Sequence, residues 1–147
     1  MPLQPPPIDE DGAVVPHNHS GIADEHRVIR RISTHQIVTD KYGVRRLSSL
    51  AFKASSGANG GMSVDLEQLI IEAGLVPMDY VTTPRWFGSL VYEVRELRAM
   101  NLQVGFEPLE DNPYHGEVWG VFDRPTQRHL SETAVWFVEI EGVAIAA

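Results

Sequence analysis

Val28-Ile29-Arg30-Arg31-Ile32 is the first run of the chain with the composition of a β-strand. Three of its five residues are β-branched, and β-branched side chains favour extended backbone. A second such run, Gln36-Ile37-Val38, follows, and Asp40-Lys41-Tyr42-Gly43 then carries the residues of a turn that ends in glycine. These runs predict that the folded part of the chain begins near Val28 and opens with β-strands.

Further strands and helices are predicted downstream. The clearest helix has Asp65 as its N-cap, with Gln68 three residues later in a capping-box pattern, and ends at Gly74. A second helix of about ten to fourteen residues, capped near Thr126 or Ser131, is predicted from the helical spacing of apolar side chains over 130–140. Strands are predicted at 44–53, 62–64, 89–94, 102–106 and 116–122. This order of elements predicts an α+β fold: a mixed or mainly antiparallel sheet of about five or six strands with two main helices packed on it.

The size and composition of the chain exclude several classes of protein. A length of 147 residues fits a single domain. The absence of cysteine excludes disulfides, thiolate nucleophiles and cysteine-ligated metal sites. No apolar run approaches the roughly 20 residues of a membrane-spanning helix. The N-terminus has prolines and acids where a signal peptide needs a basic region and an apolar core, so we expect a cytoplasmic protein that does not contact membranes.

Residues 1–26 have the composition of a tail. Five of the ten prolines lie within the first sixteen positions, and Pro5-Pro6-Pro7 favours polyproline II conformation. Three consecutive acids follow at 9–11. Such a segment has too little apolar surface to offset the entropy lost on ordering. We therefore predict a mobile, proline-rich acidic tail over 1–26 and a single α+β domain over 27–147.

Charge is unevenly distributed along the chain. The net charge is −8, but residues 28–56 carry one acid and six bases, a local charge of +5. The overall acidity argues against non-specific binding to nucleic acid. The basic segment has two interpretations: solvated strand faces paired with the acidic remainder, or a site for an anion or an acidic partner. The candidate anion- or partner-binding residues are Arg30, Arg31, Arg45, Arg46 and Lys53.

The stretch Asp111-Asn112-Pro113-Tyr114-His115-Gly116-Glu117 holds the strongest candidate for catalysis. A histidine between a loop and a strand can act as a general acid or base when a carboxylate orients it, and Asp111 or Glu117 could do so here. The alternative is a structural turn in which His115 hydrogen-bonds backbone. Ser49 is the second catalytic candidate, as a nucleophile with His115 as its base, although no Gly-x-Ser-x-Gly elbow surrounds it.

Histidines near the N-terminus raise the question of a metal site. His17, His19 and His26 fall in a predicted loop that has no strong second pair of ligands. The sequence also lacks an HExxH motif, an EF-hand loop and a Walker phosphate loop. From the sequence we therefore expect no metal site and no cofactor.

Four short motifs give the chain a resemblance. They are Arg30-Arg31-Ile32, the run from Arg46 to Lys53, the run from Met62 to Leu66, and the run from Asn112 to Gly120. This set resembles a group of small uncharacterised bacterial proteins that share the pattern RRI…RxSSxAFK…SVDLE…NPxHxEVxG. The resemblance covers roughly residues 28–120. It implies a bacterial, cytoplasmic setting, and no activity of the group carries over from it.

Three functions are open at this point. The one favoured is a non-enzymatic protein-binding module, a subunit or accessory factor of a larger bacterial assembly. The proline-rich tail suits docking to a protein partner, and the basic segment offers a positive surface to an acidic one. The second is a small enzyme acting on a nucleotide or phosphorylated substrate, with arginines binding the anion and His115 transferring the proton. The third is a toxin-neutralising or host-defence accessory protein. The oligomeric state is not predicted.

Overall fold

The structure is a computed structural model that describes residues 2–55 and 60–146. Its strands are β1 (Arg27–Ile32), β2 (Ile37–Thr39), β3 (Arg45–Leu47), β4 (Met62–Leu66), β5 (Gly88–Glu93), β6 (Gln103–Phe106), β7 (His115–Trp119) and β8 (Val135–Val138). Its helices are α1 (Glu67–Glu72), α2 (Pro77–Val81), α3 (Val94–Ala99) and α4 (Arg124–Thr133), and short 3-10 turns cover Thr34–Gln36 and Ser49–Phe52.

Six of these strands form one sheet in the order β6-β7-β4-β1-β5-β8, and each neighbouring pair is antiparallel. The other two strands, β2 and β3, form a separate hairpin. The predicted α+β class and its mainly antiparallel sheet are therefore confirmed. Among the described residues, no helix combines the length and the apolar composition needed to cross a bilayer.

The sheet buries apolar side chains on both faces, because successive side chains of a strand point to opposite sides. The larger core includes Val28 and Tyr92 and packs against α3, α4 and the 3-10 turn at 49–52. Tyr92 donates a hydrogen bond from its hydroxyl to the carbonyl of Leu130 at 2.9 Å, which fixes α4 to this face. The smaller core joins Ile29 to Ile70 of α1 and to α2. The helices thus cover the sheet from two sides.

The helix predicted from Asp65 begins later than expected. Asp65 lies in β4, is only 3% exposed, and its side chain pairs with Arg31 instead of capping a helix. Its backbone already has partners, because Asp65 lies opposite Ile29 on one side and His115 on the other. Helix α1 ends close to the predicted position, where Gly74 has a φ of +79°.

The predicted strand over 44–53 and the predicted helix over 130–140 were each only partly right. The first contains β3 and then a 3-10 turn, which Ser48 caps by accepting a hydrogen bond from the amide of Leu50 at 3.3 Å. In the second, α4 starts earlier, behind its cap Asp123, and ends at Thr133. The chain then forms β8 on the edge of the sheet, because Val135-Trp136-Phe137-Val138 is rich in β-branched and aromatic residues.

The segment predicted as a tail packs in part against the domain. Ile22 is 3% exposed and belongs to the larger core, and His19 is buried beside it. The amide of His19 donates to the carbonyl of Val104 at 2.9 Å, and Arg98 pairs with Asp24 at 2.6 Å. The segment predicted as a mobile tail thus contributes residues 19, 22 and 24 to contacts with the domain. Most of the predicted loop at 55–61 lies outside the described residues.

Candidate functional site

A cleft of about 950 Å³ opens beside the junction of β1 and β4. The two strands pair only at Val28–Leu66 and Ile29–Asp65, so their remaining residues do not continue the ladder. The cleft lies along this unpaired part of β1 and β4. Its other walls come from residues 50–55, from α2 with the following loop, and from residues 109–115. Three arginines and two aspartates line the cleft, so arginines outnumber aspartates there although the net charge of the chain is −8.

Arg30 is a buried cation at this cleft. It is 6% exposed and donates hydrogen bonds to the carbonyls of residues 50, 51 and 63 and to the Ser55 hydroxyl, at 3.0–3.3 Å. All of these acceptors are neutral, and no described carboxylate forms an ion pair with it. Burial lowers the pKa of Arg30 to about 10, so the guanidinium still carries its charge at neutral pH. A buried charge without a counter-charge is unfavourable, and an anion in the cleft would relieve it.

Arg31 differs from Arg30 because a carboxylate already holds it. Its Nε lies 2.8 Å from Oδ2 of Asp65 and its Nη2 lies 3.1 Å from Oδ1, a two-point ion pair. The Asn112 side-chain amide donates to the same Oδ1 at 2.7 Å, and Tyr80 donates from its hydroxyl to Oδ1 of Asn112 at 2.8 Å. This network ties β1, β4, α2 and the loop before β7 together. It gives the cleft a rigid floor.

Aromatic and basic side chains also line the cleft. The guanidinium of Arg85 lies over the ring of Trp86, 5.0 Å from its centroid. The His35 ring meets the same indole edge-on at 6.2 Å. Arg85 and His35 are exposed, so they remain accessible to a ligand. A cation beside an aromatic face can bind a phosphate and stack a base.

His115 also lines the cleft and is 7% exposed. Its Nδ1 lies 2.8 Å from the carbonyl oxygen of Glu107, so this nitrogen carries the proton and donates. Its Nε2 lies 3.6 Å from Oε1 of Glu117. Burial, and then the neighbouring Glu107 carboxylate, raise the pKa of Glu117 to about 8. Of the two carboxylates predicted to orient His115, Glu117 is the one that lies beside the ring.

The candidate residues predicted from the sequence divide into two groups. Arg30, Arg31 and His115 line the cleft together. The other candidates do not line it: Ser49, Arg45, Arg46 and Lys53. Arg46 instead lies 3.8 Å from Asp40 in the β2–β3 hairpin.

Sequence reasoning did not single out Glu107 or Tyr80. Glu107 follows β6, and its amide donates to the carbonyl of His115 at 3.1 Å. Only the pairing of β6 with β7 brings it beside the histidine, so no local pattern could reveal it. Tyr80 lies in a region without a clear helical pattern, where Pro77 begins α2.

The chain matches no protein-family model, no curated protein and no solved structure. The function is therefore inferred from the geometry of the cleft.

Proposed function

We propose that the chain binds a small phosphorylated molecule, a nucleotide by preference, in the cleft between β1 and β4. Arg30 is the observation that carries the proposal. It is a buried guanidinium without a carboxylate partner among the described residues, and it lies at a cavity large enough for a small ligand. Phosphate oxygens, like those of a carboxylate, match the donor geometry of a guanidinium.

The cleft supplies separate places for the two halves of a nucleotide. A guanidinium has five N–H groups, and Arg30 uses four of them, which leaves one on Nη2 for the phosphate. Arg85 adds a second, exposed cation. The guanidinium of Arg31 already lies over the Tyr80 ring, 5.6 Å from its centroid, so the ring of Trp86 is the one on which a base would stack.

Catalysis in the cleft would depend on His115 as the group that transfers a proton. Because Nδ1 donates to a carbonyl, Nε2 is the nitrogen that can accept a proton. The small enzyme predicted from the sequence would use that nitrogen as its acid or base. Ser49 lies outside the cleft lining, so the proposal does not use it as a nucleophile.

Calorimetric titration of the full chain with AMP, GMP and inorganic phosphate, in EDTA, tests the binding. Adenosine and guanosine, which lack the phosphate, are the matched ligands. Arg85→Ala removes an accessible cleft cation and should weaken nucleotide binding about tenfold or more. Arg128→Ala, an exposed arginine of α4 outside the cleft, is the matched control and should change nothing. Equal affinity in both variants, or no binding of any phosphorylated probe at millimolar concentration, would refute the proposal.

A protein-binding module is the second candidate, and the β2–β3 hairpin supports it. Val38, Tyr42 and Val44 are 37%, 79% and 47% exposed on this hairpin, and Lys41 and Arg45 lie beside them. Exposed tyrosine and arginine are typical of interface centres. Affinity capture from a bacterial lysate with the wild-type chain and with Tyr42→Ser tests this candidate. A stoichiometric partner that the variant loses would support it, and equal capture by both chains would count against it. The bacterial cytoplasmic setting and a defence role stay predictions.

A further inference from the structure

Glu107, His115 and Glu117 form a compact cluster of potential metal ligands. Each residue offers one ligand atom, and these atoms lie within 4.8 Å of one another. The pairing of β6 and β7 creates the cluster, because Gly105 lies opposite Glu117 and the chain then leads to Glu107. His115 and Glu117 are two residues apart on β7, so their side chains share one face of the sheet.

The histidine is oriented as metal-binding histidines usually are. Its Nδ1–H donates to the backbone carbonyl of Glu107, which fixes the tautomer and leaves the Nε2 lone pair free to bind. Nε2 and Oε1 of Glu117 are 3.6 Å apart, too far for a hydrogen bond. Two ligands of one tetrahedral ion, with bonds of about 2.1 Å, lie about 3.4 Å apart. The observed separation suits joint coordination better than direct contact.

Glu117 also has an oxygen without a partner. The residue is 5% exposed, and its Oε2 forms no hydrogen bond with any described residue. Gly61 maintains this arrangement, since a Cβ at that position would collide with Oε2 and lie 2.8 Å from Nε1 of Trp119. A buried carboxylate oxygen normally has a hydrogen bond or a cation. The other oxygen of the same carboxylate, Oε1, faces Nε2 of His115 and accepts a hydrogen bond from the Ser63 hydroxyl at 3.2 Å.

We propose that Glu107, His115 and Glu117 bind one divalent transition-metal ion, Zn²⁺ or Mn²⁺. One imidazole with two carboxylates suits these ions better than Ca²⁺ or Mg²⁺, which prefer oxygen ligands alone. The proposal departs from the absence of a metal site expected from sequence motifs. It also goes beyond the proposed function, which requires no metal. His115 belongs to both the cluster and the cleft wall, so the ion would lie next to the bound ligand.

The N-terminal histidines are a poorer site for the same ions. His17 has its Nδ1 2.8 Å from the carbonyl of Val15, and its Nε2 accepts from the amide of Phe106. His19 uses both ring nitrogens in the same way, with Gln4 and Gly21 as partners. A metal would have to break these backbone hydrogen bonds.

The test is calorimetric titration of the full chain, first stripped with EDTA, with ZnCl₂, MnCl₂ and MgCl₂. We expect one Zn²⁺ or Mn²⁺ per chain, much weaker Mg²⁺ binding, and a melting temperature that rises with metal concentration. Glu117→Gln and Glu107→Gln keep the side-chain shape and should each weaken binding about tenfold or more. Glu110→Gln, an exposed acid of the preceding loop, and His129→Asn on α4 are the matched controls and should bind as the wild type does.

Three results would overturn the proposal: no binding of either ion to the wild type, unchanged binding in both cluster variants, or loss of binding in His17→Gln alone. Circular dichroism establishes that each variant is folded. Should Glu117→Gln fail to fold, the less buried Glu107→Gln carries the test. Because nucleotide binding is measured in EDTA, a failure of the metal proposal is distinguishable from a failure of the proposed ligand.

Discussion

Glu117→Gln should abolish an unusual pH dependence of stability. The pKa of Glu117 is raised from its ordinary value of 4.5 to about 8, first by burial and then by the Glu107 carboxylate. The folded chain therefore holds a proton between pH 4.5 and 8 that the unfolded chain has released. The free energy of unfolding then falls as the pH rises through this window, and the contribution is complete only below about pH 4.5.

The magnitude follows from the size of the shift. The difference between 8 and 4.5, at about 1.4 kcal/mol per unit, corresponds to roughly 5 kcal/mol. Because Glu117 interacts strongly with a neighbouring carboxylate, the measured effect should lie at about 2–5 kcal/mol. Glutamine has the shape of protonated glutamic acid and cannot ionise. The variant should match the wild type near pH 4.5 and exceed it by that amount at pH 8.

Urea unfolding at half-unit steps from pH 4.5 to 8.5, in EDTA, measures the effect. Glu132→Gln removes the same charge from the exposed side of α4 and serves as the control. Its stability should run parallel to that of the wild type across the range. Parallel curves for Glu117→Gln as well would show that Glu117 ionises normally, and the account of this buried carboxylate would be wrong.

Three further predictions concern packing and the ion pair. Gly61→Ala should destabilise the chain by about 1–3 kcal/mol, because the added methyl group collides with Glu117; urea unfolding measures it, and a change below the error would contradict the close contact. Asp65→Asn should cost about 3 kcal/mol, since it leaves the guanidinium of Arg31 without its carboxylate; thermal unfolding at pH 7 checks this, and an unchanged melting temperature would argue against the ion pair. Leu130→Ala removes a fully buried side chain and should cost about 2–5 kcal/mol in urea, whereas a loss under 1 kcal/mol would place α4 off the sheet.

The sequence predicted the fold where the pattern was local. The β-branched run at 28–32 formed β1, and the alternation at 102–106 formed β6. Prediction from the sequence was less accurate where one pattern of apolar residues fits both a helix and a strand. The apolar side chains of 134–138 fit a helical spacing and also a strand, and the free edge of β5 selected the strand. Asp65 was predicted as a helix N-cap because its carboxylate could serve either as a cap or as the partner of an arginine. In the structure it pairs with Arg31.

The candidate site shows the same division. Arg30, Arg31 and His115 stood out by residue type, and all three line the cleft. Glu107 could not be found, because it acquires its role only from the register of β6 on β7. The register depends on the pairing of all the strands, and the sequence around Glu107 does not indicate it.

The short junction of β1 and β4 makes the sheet a pair of three-stranded ribbons joined along a seam. One ribbon is β6-β7-β4, the other is β1-β5-β8, and only two residue pairs join them by backbone. Side chains of β1 add links between the ribbons, with Arg30 on the carbonyl of Ser63 and Arg31 on Asp65, while Arg27 pairs with Glu67 at the start of α1. Along this seam, side-chain hydrogen bonds from arginines take the place of the backbone hydrogen bonds that join strands in a regular sheet. Amides along it should exchange with solvent sooner than those between β1 and β5, and an occupant of the cleft would slow that exchange by holding the two ribbons together.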